Sequence, residues 1–355
     1  MPVHKIRILI VEDSLFFREF LTRLLSNDPY LEIAGSFSDP VEAQKHLDRL
    51  KPDVMIVDME MPRMRGNEFL RTVLPRYPQI KAIVVSALSN NVFDAMQAGA
   101  VDFVSKPNTR PGYDNNMFLR EVAQKVRAAA AATSKAARPH MGAMSQIASM
   151  PGPSLSNAAN LSGATSRSLV AIGASTGGTE AIVEVVKKFP AGMPGVVIVQ
   201  HMPPVFTKMF AERVDKISKM NVREAANGDR LERGVVLIAP GGDLQLRVRS
   251  DTRGYYVALS AGPKVSGHCP SVDVLFDSVA DAAGRDAVGI ILTGMGADGA
   301  KGLLKMRQKG AHTIGQDQAS CVVYGMPMVA YNIGGVAQQV PLSAVSDAAI
   351  RRFVR

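Results

Sequence analysis

Short apolar runs separated by helix-length amphipathic stretches recur through the first third of the chain. Ile6 to Val11, Leu31 to Gly35, Val54 to Val57, Ile80 to Val85 and Val101 to Val104 read as buried strands, with helical patterns between them and a last helix from about Met117. Such alternation predicts a parallel sheet covered on both faces. A second series starts at the strand Leu169 to Ile172, passes through a helix-like run from Glu180 to Phe189 to the strand Val196 to Val199, and includes Val288 to Leu292. Both halves read as α/β, and functional residues are expected at the carboxyl ends of their strands.

From Ala128 to about Ser166, alanines give way to Ser, Pro, Gly, Met and Asn without sustained periodicity, the mark of a helical tail fading into a flexible linker. The expected organisation is one domain over 1–127, a linker over 128–166 and a second domain over 167–355. A length of 355 residues suits this division. With 46% hydrophobic and 21% charged residues the composition is that of an ordinary globular protein. No apolar stretch approaches the roughly 20 residues of a membrane span, so no membrane insertion is expected. Met1-Pro2-Val3-His4-Lys5 leads straight into a strand without the apolar core of a secretory signal, which gives a cytoplasmic expectation.

The formal net charge of +9 invites a nucleic-acid reading, but the charge is unevenly placed. No acid occurs between Glu121 and Glu180, while Lys125, Arg127, Lys135, Arg138 and Arg167 fall in that interval. A solvated basic connector explains part of the surplus, and no nucleic-acid-binding signature accompanies it. Cys269 and Cys321 make neither a metal-ligand spacing nor a disulfide framework. His268 beside Cys269 is discounted as a catalytic pair, because neighbours on an extended segment point to opposite faces.

Polar residues stand at the strand ends of the first half: Glu12 and Asp13 after the first, Asp58 after the third, Ser86 after the fourth and Lys106 before Pro107 after the fifth. Converging acids repel unless a cation is held between them, and Mg²⁺ suits carboxylate and carbonyl oxygens. With it bound, Asp58 could accept a phosphoryl group. Val11-Glu12-Asp13-Ser14, Val57-Asp58-Met59-Glu60-Met61-Pro62, Val85-Ser86-Ala87 and Ser105-Lys106-Pro107 together resemble a response-regulator receiver domain over about residues 4 to 125. The resemblance implies a flavodoxin-like fold with a five-stranded parallel sheet, Asp58 as phosphoacceptor, and Glu12, Asp13, Asp58 and the Glu60 carbonyl around Mg²⁺. It also implies Ser86 and Lys106 on the phosphoryl group and Phe103 as an aromatic switch. Glu12 replaces the commoner Asp, so its metal contact is expected through water.

In the second half, Ile172-Gly173-Ala174-Ser175-Thr176-Gly177-Gly178 sets a serine on a glycine-flanked strand-to-helix turn, the setting of a nucleophile elbow. The following helix N-terminus favours developing negative charge there. His201 ends the next strand and is followed by Met202 and two prolines that fix the turn, so a neutral imidazole can take the serine proton. Asp298, in Thr293-Gly294-Met295-Gly296-Ala297-Asp298-Gly299 after another strand, is the preferred orienting acid, with Asp273 and Asp317 left open. Gly294 to Gly299 also reads as a literal G-x-G-x-x-G, but a carboxylate inside a loop meant for pyrophosphate argues against a dinucleotide.

These segments, with Gln200-His201-Met202-Pro203 and Pro270-Ser271-Val272-Asp273-Val274-Leu275-Phe276, resemble the CheB family of chemotaxis receptor methylesterases over residues 167 to 350. The resemblance implies a doubly wound, mostly parallel α/β domain with Ser175 as nucleophile, His201 as base and Asp298 as orienter. Thr176 lies beside the nucleophile, and the Met295 N–H is implied as an oxyanion donor. The implied reaction is hydrolysis of glutamate γ-methyl esters on methyl-accepting chemotaxis receptors, with deamidation of receptor glutamines, and needs no cofactor. A histidine kinase of the CheA type is the implied phosphodonor. The unphosphorylated receiver is implied to restrain the esterase. A receiver joined to a binding adaptor without turnover is the alternative from another class.

Overall fold

The computed structural model describes residues 5–87, 92–107, 114–136, 161, 163–165 and 167–354, so most of the expected linker lies outside the described residues. The chain forms two compact units, Met1–Pro139 and His140–Arg355. In the first, β1 (Ile6–Val11), α1 (Leu15–Leu25), β2 (Leu31–Phe37), α2 (Pro40–Leu50) and β3 (Val54–Asp58) are followed by α3 (Gly66–Val73), β4 (Lys81–Ser86), α4 (Val92–Gln97), β5 (Asp102–Ser105) and α5 (Asn115–Ala136). The strands pair in parallel in the order β2-β1-β3-β4-β5. This is the flavodoxin-like order, with its switch point between β1 and β3. β1, β3 and β4 are rich in β-branched residues and carry buried side chains on both faces because helices cover both sides. Ser14 caps α1 by accepting from the Phe17 amide, and Asp39 caps α2 with Pro40 at its first position.

The second unit contains β6 (Leu169–Ala174), α6 (Gly178–Val186), β7 (Gly195–Gln200), α7 (Phe206–Asp215), β8 (Asn221–Glu224), β9 (Val235–Ile238), β10 (Leu244–Asp251) and β11 (Gly254–Ala261). It continues with α8 (Val272–Ala283), β12 (Ala287–Ile291), α9 (Ala300–Gln308), β13 (His312–Gln316), α10 (Met326–Asn332), β14 (Gln338–Val340) and α11 (Leu342–Arg351). Seven strands form one sheet in the order β14-β13-β12-β6-β7-β9-β8, and every pairing is parallel. The hairpin β10-β11 stands apart as an antiparallel pair.

β6 is the switch point: the chain first builds outward through β7, then returns to add β12 on the other side. Register aligns Gly173 with Ile291 and Ala174 with Gln200, so the residues following β6, β7 and β12 meet at one edge of the sheet. Beneath that edge lies a core of Leu169, Ala171, Val197, Val199 and Ile291 from the sheet, Leu275, Phe276 and Val279 from α8, and Leu246, Val248 and Val257 from the hairpin. Burying each of these side chains larger than Ala171 contributes about 1.5–3 kcal/mol relative to exposure.

Candidate functional site

Ser175 follows β6 directly. Its amide donates to the Thr293 carbonyl at 3.0 Å, and its carbonyl accepts from the Gly178 amide at 2.7 Å and Gln200 Nε2 at 2.9 Å. A nucleophile elbow places the serine itself on a strained turn. Here the left-handed backbone falls instead on Gly177, at φ 77°, immediately before α6. A Cβ there would also lie 2.6 Å from Val322 Cβ. Two glycines thus share the tight turn, for Gly294 lies so close that its Cβ would meet Ser175 Cβ at 2.8 Å. Thr176 is buried, and its carbonyl accepts from Thr293 Oγ1 at 3.0 Å. Met295 is half-buried on the same loop as Thr293 and Gly294.

His201 follows β7, and its amide donates to the Ala174 carbonyl at 3.2 Å, which fixes it beside Ser175. Nε2 lies 2.8 Å from Asp298 Oδ2, while the buried Nδ1 has no hydrogen-bond partner among the described residues. No hydrogen bond among the described residues joins the Ser175 hydroxyl to His201; such contacts commonly tighten only in the complex with substrate.

Asp298 is 1% exposed and sits against the N-terminus of α8. Oδ1 accepts from Ser271 Oγ at 2.7 Å and the Asp273 amide at 3.0 Å, and Oδ2 accepts from the Val272 amide at 2.8 Å as well as facing His201. Burial pushes this carboxyl up. The hydrogen bond and charge of His201, with Ser271 Oγ and the Asp273 amide, outweigh it and bring the carboxyl down to about 2. The two other acids left open in the sequence are engaged elsewhere. Asp273 accepts from the Gly302 amide at 2.8 Å, and Asp317 from the Ser320 amide at 2.9 Å.

Three supporting residues were given no role at the site from the sequence. Gln200 Nε2 ties the carbonyls of Ser175 and His201 together at 2.9 and 3.1 Å. Ser271 both caps α8 and donates to Asp298. Its position before Val272 and Asp273 is a helix-start signal that could have marked it. His268 stacks on His201, a contact with no sequence signal. Burial first, then the Asp243 charge, pushes the Cys269 thiol up, in keeping with its exclusion as a nucleophile.

In the first unit, Glu12, Asp13 and Asp58 carboxylate oxygens lie within 4.8 Å of one another. Lys106 Nζ reaches Asp58 Oδ2 at 2.9 Å and Glu12 Oε2 at 3.1 Å. Burial, with the Asp58 charge, raises the Glu12 carboxyl to about 7 against the pull of Lys106. One ammonium therefore compensates the buried acids incompletely, and the set of hard oxygen donors fits a divalent cation. The Glu60 side chain lies outside this cluster: it accepts from Ser86 Oγ at 2.6 Å, and its amide donates to Asp58 Oδ1 at 3.3 Å. Phe103 is buried, with Lys125 Nζ 5.3 Å from its ring centroid.

A flavodoxin-like unit with acids and a lysine at its strand ends, preceding a parallel α/β unit with its own polar constellation, defines a response regulator with an α/β output domain. Residues 8–112 match the model of the response regulator receiver domain and residues 170–349 that of the CheB methylesterase. The protein-glutamate methylesterase/protein-glutamine glutaminase 2 of Syntrophomonas wolfei is 49% identical over 98% of both chains. The protein-glutamate methylesterase/protein-glutamine glutaminase of Syntrophotalea carbinolica is 46% identical over 96% of both. The crystal structure of the Thermotoga maritima CheB methylesterase catalytic domain aligns with a TM-score of 0.51 at 35% identity, covering 53% of this chain and 99% of that one. The chain belongs to the CheB methylesterase family.

Proposed function

We propose that this chain is a phosphorylation-regulated protein-glutamate methylesterase and protein-glutamine glutaminase of chemotaxis, acting through Ser175, His201 and Asp298. The observation that carries the reading is the His201–Asp298 contact of 2.8 Å beside a serine fixed by adjacent strand ends. Asp298 holds the proton on Nε2, leaving the Nδ1 lone pair for the serine. Ser175 Oγ attacks the γ-carbonyl of a receptor glutamyl methyl ester as its proton passes to His201. The imidazolium returns that proton to the leaving oxygen, and methanol departs. Water, deprotonated by the same imidazole, then cleaves the acyl-serine to give glutamate and free Ser175. A glutamine carboxamide follows the same path and releases ammonia. The Met295 N–H serves as oxyanion donor, with Thr176 beside the nucleophile.

In the receiver, Asp58 is the phosphoacceptor and a CheA-type histidine kinase the donor. Glu12, Asp13, Asp58 and the Glu60 carbonyl would hold Mg²⁺, which supplies charge neutralisation for the incoming phosphoryl oxygens. Lys106 and Ser86 bind that group, and Phe103 answers its arrival. No helix among the described residues is long and apolar enough to cross a membrane. The test is methanol release from methylated receptor membranes. Ser175→Ala is expected to lower it by at least about 10³-fold, and turnover surviving in that variant eliminates the proposed nucleophile.

A further inference from the structure

We infer that His268 is a positioning residue for the esterase reaction: its ring clamps the imidazole of His201 from one face and shelters the cationic form that arises during acyl transfer. This rests on the triad reading above. The two rings stack with centroids 3.6 Å apart and an interplanar angle of 10°. That separation is close to the thickness of a π system, so the rings lie almost directly over one another. Quadrupoles disfavour such an overlay for two neutral rings, whereas a cation over a neutral π face is attracted. The arrangement thus favours the moment when His201 carries the serine proton and His268 does not.

What holds His268 there is a two-residue hairpin turn. Val265 and His268 exchange backbone hydrogen bonds of 3.0 and 2.9 Å, and the residues between them, Ser266 and Gly267, have φ of 53° and 86°. Positive φ at both central positions is the type I′ geometry, adopted by serine only at a cost. A non-glycine held there beside a reactive group is a strained element maintained by its surroundings. Those surroundings are visible. Ser266 Oγ donates to Asp273 Oδ2 at 3.2 Å, the Asp273 amide donates to Asp298 Oδ1 at 3.0 Å, and Asp298 Oδ2 holds His201. The His268 carbonyl also accepts from Gln245 Nε2 at 3.4 Å, while Gln245 Oε1 accepts from the Ser271 amide at 2.9 Å. One closed circuit therefore orients both imidazoles.

The test compares the full-length chain with His268→Ala, His268→Leu and His268→Phe, alongside Ser175→Ala, by methanol release from methylated receptor membranes at saturating and limiting receptor. Loss of the ring is expected to lower kcat about tenfold in the Ala and Leu variants with KM within about twofold, since a base free to rotate forfeits part of its orientation. Phe, a planar ring with a π face, is expected to restore kcat to within about threefold of wild type. Wild-type kcat in His268→Ala overturns the inference, as does Leu matching Phe, or Phe as poor as Ala. A His268 series at wild-type rate with an inert Ser175→Ala sinks the positioning role alone. Activity in Ser175→Ala sinks the underlying reading.

Discussion

At the scale of single residues, the proposed triad turns on Asp298, whose two oxygens have different partners. Oδ1 is committed to Ser271 Oγ and the Asp273 amide, while Oδ2 takes the Val272 amide and His201 Nε2. In Asp298→Asn the oxygen is retained by the donors at Oδ1, so the amide NH₂ turns toward His201 and demands an acceptor from Nε2. The imidazole proton then moves to Nδ1, where the serine needs a lone pair. A fall in kcat of about 10⁴-fold is expected, as for other triads forced into the wrong tautomer. The same carboxylate links stability to pH. Its folded value of about 2 lies below the ordinary 3.8, so its contribution is present above that ordinary value and is lost as pH falls through about 2. The shift corresponds to roughly 2 kcal/mol. Denaturant unfolding should show the variant less stable by about that amount at pH 7, with the gap narrowing below about pH 4. A gap that does not narrow would place the loss in packing rather than charge.

At the scale of elements, α8 brings its N-terminus to Asp298, and Ser271 is the joint between the two. As N-cap it accepts from the Val274 amide, and as donor it satisfies the buried carboxylate at 2.7 Å. Ser271→Ala removes both, with an expected stability loss of about 1–3 kcal/mol from the cap and the unsatisfied acceptor. Because Asp298 keeps its two amide donors, kcat should fall only about tenfold; thermal unfolding read beside turnover checks both parts. The elements also show what a sequence can reveal. Glu12, Asp58, Ser175 and His201 were legible because each interrupts a strongly apolar strand at its carboxyl end, and parallel sheets put such ends together. The parallel sheet of the first unit followed from the same alternation, whereas its flavodoxin-like form and the mostly parallel sheet of the second unit were implied by the family resemblance. The hairpin β10-β11 was not foreseen: Leu246-Arg247-Val248-Arg249 alternates apolar and charged positions as a half-buried strand does, but that alternation by itself names no partner strand. His268 was hidden for a related reason. Its partner lies 67 residues earlier in the numbering, and only the fold of the turn Val265 to His268 brings them face to face.

At the scale of the whole molecule, each unit has its own sheet and core, and the solved Thermotoga maritima structure is of a catalytic domain matching 53% of this chain. Control of one unit by the other is then a coupling free energy between the two units. If the unphosphorylated receiver acts by restraint, removing residues 1–150 and phosphorylating Asp58 relieve the same term by different routes. The freed fragment should exceed the unphosphorylated chain by roughly 5- to 150-fold, the span of typical couplings. A phosphodonor with Mg²⁺ should raise the full chain toward that ceiling, and Asp58→Asn should abolish the response while leaving basal turnover intact. The three rates, measured on one batch of methylated receptor membranes, separate the possible couplings. A phosphorylated chain faster than the fragment would mean that the receiver contributes actively to the reaction, and a fragment no faster than the unphosphorylated chain would end the case for restraint. Ser175→Ala in the fragment is the control that assigns all three to one nucleophile.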